Sequence, residues 1–587
     1  MIVTMYIDTV PNRNSPPAVL LREGWREGKR VRKRTVANLS DWPAEKVEAL
    51  RLLLAGEKMV PAGRERVTER SLPHGHVEAI LGTIRRLGLD RLIAAKRSRE
   101  RDLVVALVAE RLLHPSSKLA TTRLWHTTTL AEQLDVADAD VDEVYAALDW
   151  LLARQGRIER KLARRHLREG ALALYDVSSS HYEGRTCPLA QLTRGRDGTT
   201  GRLQIVYGVM TDKDGRPIAV QVYPGKTADP TTVSDQVEKL RGDFALERVV
   251  LVGDRGMLTQ TQIDTLKQYP QLGWISALRS ASIRKLATAG SIQMSLFDEQ
   301  NLAEIESPQF PGERLVVCYN PQLAEERRRK RNDLLAATEK ELDRVVREVK
   351  RRTQKPLGES EIGVKVGRVI NRYKVAKHFQ LTIADDRFEW ARDEEAIATE
   401  AALDGIYVIR TSEPAERLSA EDTVRSYKAL ADVERAFRTL KGIDLRVRPI
   451  YLRVPDHVRA HIFLCLLAYY VEWHMRRALA PLLFDDEELM ENRKRRDPVA
   501  PARPSPSAKR KKITRRNADG LPVHSFQTLL AELGTRARND YRIEIACKTK
   551  RPGQTVTVRH HDYTEHNPLQ AKALRLLGLL PVTGNPD

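Results

Sequence analysis

The stretch VVLVGDRGM, Val249–Met257, sets four apolar, mostly β-branched residues ahead of Gly-Asp-Arg-Gly. Such a run reads as a strand buried on both faces, as inside a parallel sheet. A carboxylate at the end of a buried strand is costly unless something pairs with it. Asp254 therefore either caps the following turn or holds a cation or substrate. Upstream, ALALYDVSSSHYEG begins as a strand, and LQIVYGVM and RPIAVQVY flank the turn TDKDG, a hairpin signal. A helix-like PTTVSDQVEKLRGDF then leads into Val249. The order is three antiparallel strands, a helix and a buried strand, and connection rules return that last strand beside the first, in parallel. Neighbouring strands lie ~5 Å apart, so Asp176 on the first and Asp254 at the end of the fourth could touch one divalent cation. Gly253 and Gly256 would let backbone or phosphate come close.

A third acid follows much later. In EDTVRSYKALADVERAFRTLKG, from Glu421, residues Leu430, Val433, Phe437 and Leu440 form a stripe at helical spacing and are expected to be buried. Tyr427, Glu434 and Lys441 are seven residues apart in turn and share one face beside that stripe, with Arg438 one turn beyond Glu434. Glu434 is then either a structural ion pair or a third metal ligand.

The chain has 587 residues, enough for several domains, and a net charge of +20 that favours a polyanionic partner, nucleic acid first. Cys187, Cys318, Cys465 and Cys547 lie far apart with no CxxC pair, which fits a reducing cytoplasm. The N-terminus lacks a signal-peptide pattern. The longest apolar run, Ile462 to Val471, is about half a membrane span and reads as a buried helix, so no membrane partner is expected.

The pattern divides the chain into a small strand-rich module (1–65), a helical, DNA-binding domain (66–170), an α/β core (171–275), an insertion (276–414), the return of the core with the Glu434 helix (415–490), a basic Pro-rich linker (491–520) and a small mixed C-terminal region (521–587). A helix-turn-helix fits within 66–170, as does a plain helical domain. The insertion carries a long polar helix, PQLAEERRRKRNDLLAATEKELDRVVREVKRR, with Leu335, Leu342, Val346 and Val349 near heptad spacing. The linker segment Arg493–Arg516 holds eleven basic residues, one Asp and four prolines, so ten of the net charges sit in a stretch that reads as disordered.

With these residues in place the chain resembles a DDE transposase of bacterial insertion sequences, the branch with the signature Tyr-x2-Arg-x3-Glu-x6-Lys. Here that signature reads Tyr427, Leu430, Glu434 and Lys441, with Leu430 in place of the arginine; Arg435 or Arg438 could substitute. YDVSSSHYEG, VYGVMTD, PGKTADPTTV, LVGDRGM and VERAFRTLKGIDLRVRPIYLR stand in the familial order, and the resemblance covers roughly residues 20 to 490. It implies an RNase H-like core, a mixed α/β sheet of three antiparallel strands followed by parallel ones, interrupted by an insertion domain. It also implies Asp176, Asp254 and Glu434 as catalytic and metal-binding triad, with Tyr427, Lys441, Arg438 and Arg255 positioning DNA or phosphate. Two Mg²⁺ ions ~3.5–4 Å apart, with Mn²⁺ as a substitute, suit phosphodiester cleavage and strand transfer. Three carboxylates are hard oxygen ligands, and without metal they repel, so at least one is expected to have a raised pKa. The implied partners are double-stranded DNA, both transposon ends with their terminal inverted repeats and target, and a second copy of the chain in a synaptic homodimer. The implied location is the bacterial cytoplasm.

Two alternatives remain: a metal-dependent nuclease, and a non-catalytic DNA-binding descendant, whose mark would be a lost triad carboxylate. Three other motifs carry less. Pro224-Gly225-Lys226-Thr227 resembles the end of a Walker A loop, but Val220 stands at the required glycine. A phosphoaspartyl hydrolase needs an Asp two residues after Asp176, where Ser178 stands. His560, His561 and His566 match no zinc spacing and read as surface histidines.

Overall fold

β-branched and aromatic runs broken by Gly, Pro and Asp turns build the sheets of this protein, seen in a computed structural model that describes residues 4–12, 16–27, 30–56, 67–269, 271–292, 297–298, 300–546 and 555–581. The chain forms two units, Met1–Leu72 with Arg538–Thr564, and Pro73–Ala537 with Glu565–Asp587. Cys187, Cys318 and Cys465 are buried free thiols, and Cys547 lies outside the described residues.

The first unit opens with an antiparallel meander, β1 (Thr4–Val10), β2 (Ala18–Glu27) and β3 (Arg30–Asn38), followed by a helix, Ala44–Leu54. The basic return strand β3 is exposed along almost its whole length. Strand β4 (Val67–Pro73) also belongs here, in a second sheet completed from far along the chain.

The larger unit is built on a nine-stranded mixed sheet. Its strands are β5 (Ala171–His181), β6 (Gln191–Thr193), β7 (Arg202–Asp212), β8 (Pro217–Pro224), β9 (Val249–Val252), β10 (Leu272–Ala277), β11 (Leu302–Ile305), β12 (Arg314–Tyr319) and β15 (Ile406–Thr411). The order is β11-β12-β15-β10-β9-β5-β7-β6, with β8 also on β7. β5, β7 and β8 are antiparallel neighbours, and β9 returns parallel to β5, followed by β10 parallel to β9. All four residues of β9 are buried, as its continuous apolar run requires.

Beyond β10 the sheet continues antiparallel through β15, β12 and β11, so strands from within the 276–414 segment extend the central sheet. The helices Pro321–Arg351 and Glu359–Tyr373, with the hairpin β13 (Phe379–Ala384)–β14 (Arg387–Arg392), enclose a core of their own around Leu335, Leu342, Ile362, Val366, Phe379 and Phe388. The heptad-like stripe of the long helix faces that core, with Leu335, Leu342 and Val349 buried.

The apolar run Ile462–Val471 lies in the helix Pro455–Leu479 and is buried throughout. It packs on the helices Arg99–Leu113 and Val141–Leu152 and on β8, so the helical segment and the sheet share one continuous core. Among the described residues no helix is long and apolar enough to cross a membrane. The basic segment 491–520 holds folded structure: helix Leu489–Arg495 runs into it and helix Pro506–Thr514 lies within it. Lys511 is buried there, its ammonium donating to the carbonyls of Ala480 (2.8 Å) and Asp485 (2.7 Å). Finally, β16 (Ala537–Ala546) and β17 (Thr555–Tyr563) form a hairpin that joins β4 in the order β17-β16-β4.

Candidate active site

The register of β5 and β9 decides where the first two acids stand. The last paired residues are Leu174 and Val252, and Asp176 and Asp254 each follow two residues later. The side chain of a strand returns to the same face every second residue, so Asp176, midway along β5, stands beside Asp254, which follows the C-terminal end of β9. Asp254 is exposed and caps the turn that follows it: its Oδ1 accepts from the amides of Gly256 (2.9 Å) and Met257 (2.7 Å). Ser276 Oγ donates to its main-chain oxygen (3.1 Å). A Cβ at position 256 would stand 3.3 Å from Oδ1 and 3.4 Å from Oδ2, so glycine keeps the carboxylate uncrowded.

Asp176 is half-buried, and its Oδ1 accepts from the Val177 amide (2.8 Å). Burial is the main cause that pushes its carboxyl up to about 7; the Val177 amide opposes this, and the charges of Asp254, Asp229 and Glu434 add to it. The shift is thus set by burial first and by the neighbouring carboxylates second, with Arg438, Lys441 and Arg448 in the wall of the same cavity.

Glu434 comes from the opposite side, on the helix Leu430–Lys441. The expected stripe, Leu430, Val433, Phe437 and Leu440, is buried against β5 and β7, with Phe437 edge-on to Tyr207 at 5.8 Å. That packing sets Glu434 at the rim of a cavity of about 460 Å³, lined also by Asp176, Ser178, Arg438 and Lys441. Glu434 is exposed and, among the described residues, makes no ion pair and no hydrogen bond. The structural acid of this helix is Asp432: it is buried and paired with Arg435 (3.1 Å) and Arg493 (2.8 Å). Arg438 is exposed on the cavity wall, unpaired with Glu434.

Tyr427 lies on a separate helix, Ala420–Lys428, because the chain turns at Ala429 before the Glu434 helix begins. The helix that carries Glu434 and Lys441 therefore does not include Tyr427. Tyr427 still stands close to the acids: burial first, then Asp254, pushes its hydroxyl up to about 12, with Glu434 and Asp176 adding and Arg255 opposing. It lines a second cavity, about 210 Å³, together with the exposed Arg255. Lys441 donates to Ser178 Oγ, and burial, then Arg448, lowers its ammonium to about 8.

The sequence reading did not single out Arg196, Asp197, Asp229 or Arg448, and it weighed Ser178 only against a phosphoaspartyl hydrolase. Arg196 pairs with Asp229 through Nε (2.8 Å), and its amide donates to Ser179 Oγ (3.1 Å); Arg448 pairs with Asp197 (2.7 Å). The signal was present in the Gly-Arg-Asp-Gly turn 195–198, which the β5–β7 connection folds back over the cavity. The amides of Gly225, Lys226 and Thr227 are satisfied by Leu189, Gln191 and Pro224, so the Walker-like stretch offers no phosphate cradle.

The donor chemistry of Asp176, Asp254 and Glu434 fits a hard divalent cation. Like charges repel, and among the described residues no three acids, histidines or cysteines converge as a ready metal group, the C-terminal histidines included.

Comparison with known proteins gives the class of the chain, which is a transposase. The family model "Transposase DDE domain" matches residues 184–471, which contain Asp254 and Glu434, and "IS1634 family transposase, N-terminal domain" matches residues 7–63. The chain belongs to the DDE transposases of insertion sequences, enzymes of DNA transposition. No curated protein matches it. Among solved structures, a piggyBac transposase synaptic complex with hairpin DNA shares 10% identity at a TM-score of 0.33, covering 78% of this chain and 76% of that one.

Proposed function

We propose that Asp176, Asp254 and Glu434 are the catalytic carboxylates of an RNase H-like core that cuts DNA at the ends of an insertion sequence and joins them to a target. The observation that carries this reading is the Asp176 carboxyl, raised by burial in the company of Asp254, Asp229 and Glu434. Like charges brought near a buried carboxyl are a cost to the fold that cation binding relieves. The three carboxylates would hold Mg²⁺, two ions with Mn²⁺ as a substitute, which supply charge neutralisation at the attacking and leaving oxygens of a phosphodiester.

The protein's own groups do the rest. Asp254 is held by two amides, so its carboxylate keeps one orientation while Oδ2 faces outward. Arg438, Lys441 and Arg448 line the Asp176–Glu434 cavity and attract the phosphates of a strand entering it. Ser178 orients the Lys441 ammonium, and Tyr427 and Arg255 flank the Asp254 side. The net charge of +20 suits duplex DNA as partner. Two element ends held at once call for a homodimer in the working complex.

The test is an excision-and-joining reaction on a fragment carrying both ends of the element, with purified full-length protein and Mg²⁺. Excised ends joined covalently to target DNA are the expected product. Cleavage that never yields joined product would assign a nuclease instead, and tight end binding without any cleavage would assign a non-catalytic DNA-binding protein.

A further inference from the structure

A second cavity, about 500 Å³, opens between the helix Arg99–Leu113, the start of the helix Lys118–Leu124 and the segment 446–457. Two cations in its wall are almost completely buried, Arg111 at 5% exposure and Lys118 at 4%. Neither has a carboxylate within ion-pair distance among the described residues. The nearest acid in sequence, Glu110, gives its carboxylate to His114 (3.0 Å). Arg111 donates to the carbonyl of Ser116 (3.1 Å). Lys118 Nζ meets His461 Nδ1 at 3.1 Å, and His461 Nε2 meets the carbonyl of Val447 at 3.1 Å. The carbonyl can only accept, so Nε2 carries the proton and Nδ1 accepts from the ammonium. An ammonium has three N–H donors, and one acceptor is a thin return for burying it.

The rest of the wall has the same character. Arg446, Arg448 and Arg453 line the cavity, and no Asp or Glu does. The acids nearby are engaged at its rim, Asp197 with Arg448 and Asp149 with His457. Tyr145 stacks on the His457 ring at 4.8 Å, giving a flat apolar face opposite the cations. Burial, then Arg111, lowers the Lys118 ammonium to about 7, as happens when a cation is buried beside another with no anion to offset it. The cavity is also continuous in its lining with the carboxylate site, because Arg448 borders both. A parallel bridge of Tyr182 to Ile450 fixes the 446–457 segment at the end of β5, the strand that bears Asp176.

We propose that this cavity is an anion site that takes a phosphate group of the DNA strand lying in the neighbouring carboxylate cavity, with Lys118 and Arg111 as its buried anchors. The anion site itself stands on the paired cations; its assignment to DNA rests on the proposed cleavage function. The role is positional: a strand pinned here would run past Arg448 toward Asp176. Free inorganic phosphate offers the same chemistry from another source, and the experiment separates the two.

Thermal melting of full-length wild type and Lys118→Met is compared in chloride and in phosphate at matched ionic strength, without divalent metal. Phosphate is expected to raise the wild-type melting temperature. Lys118→Met is expected to melt above wild type in chloride, because an unpaired buried charge is gone, and to lose the phosphate response. In EDTA, a labelled element-end duplex is expected to bind Lys118→Met at least tenfold more weakly, with Lys118→Arg recovering most of the loss. A wild type unresponsive to phosphate, with Lys118→Met melting lower, would make Lys118 a structural partner of His461 and overturn the site. A phosphate response lost in Lys118→Met with unchanged duplex affinity would assign free phosphate and overturn the DNA role. Calorimetric titration of wild type with pyrophosphate needs no variant, and no heat at millimolar ligand would also overturn the site. None of these measurements requires cleavage, so failure of the carboxylate site would show separately as wild type that does not nick DNA in Mg²⁺.

Discussion

Replacing Asp176 by Asn is expected to stabilise the protein while removing its activity. The folded carboxyl sits at about 7 against an ordinary 3.8. At about 1.4 kcal/mol per unit, ionising it in the fold costs at most about 4 kcal/mol. The folded pKa lies above the unfolded one, so the folded state holds the proton more tightly, and stability falls as pH rises from about 4 to about 7. Asn cannot ionise and avoids that loss. In urea unfolding with EDTA, Asp176→Asn should match wild type near pH 4 and gain on it steadily, reaching roughly 2–4 kcal/mol by pH 8. Millimolar Mg²⁺ at pH 8 should then raise the stability of wild type and leave the variant almost unchanged, since binding to the folded state alone stabilises it. A gain independent of pH, or a variant less stable than wild type at pH 8, would refute the claim that the Asp176 carboxylate is buried beside other acids at a cost to the fold.

Other expectations follow from the same geometry. Lys441 is lowered to about 8, so its phosphate contact should fade as pH rises through 8. A binding profile in which Lys441→Arg persists to higher pH would report this, because the guanidinium stays charged; identical profiles would remove Lys441 from the contact. Arg493→Ala leaves the buried Asp432 with Arg435 alone, and should cost about 2 kcal/mol in a denaturant titration, below the roughly 3–5 expected for full loss of partners. Leu430→Ala should cost about 2–4 kcal/mol through lost burial, whereas Arg438→Ala should lower strand transfer with little change in melting temperature. The reverse pattern would place the missing signature arginine's role elsewhere.

Local signals carried the first half of the site and long-range ones did not carry the rest. The continuous apolar run of β9 and the TDKDG turn between β7 and β8 were enough to bring Asp176 on β5 beside Asp254 just beyond β9, because hairpins and crossovers have few alternatives. The buried stripe of the Glu434 helix was likewise legible from its spacing. The break at Ala429 was not: EDTVRSYKALADVERAFRTLKG has no Gly or Pro between Tyr427 and Leu430, and the backbone of Ala429 itself stays in the right-handed helical region. Periodicity also could not say whether Asp432 or Glu434 takes the structural ion pair, since only the fold brings Arg493 to Asp432. The folded basic segment was hidden for a similar reason, as composition does not reveal that Lys511 finds the carbonyls of Ala480 and Asp485. Nor does any local pattern foretell that β16 and β17 pair back to β4 across most of the chain.

The central claim is that Glu434 joins Asp176 and Asp254 in one metal-dependent site. The most direct test is single-turnover nicking of a labelled end duplex by Glu434→Gln in Mg²⁺, beside a melting curve. Glu434 makes no ion pair and no hydrogen bond among the described residues, so the variant should melt with wild type and bind the duplex normally. Its nicking rate should fall by roughly three orders of magnitude or more, the scale on which losing charge stabilisation at a reacting phosphate is felt. A folded Glu434→Gln protein that nicks at close to the wild-type rate would contradict the account.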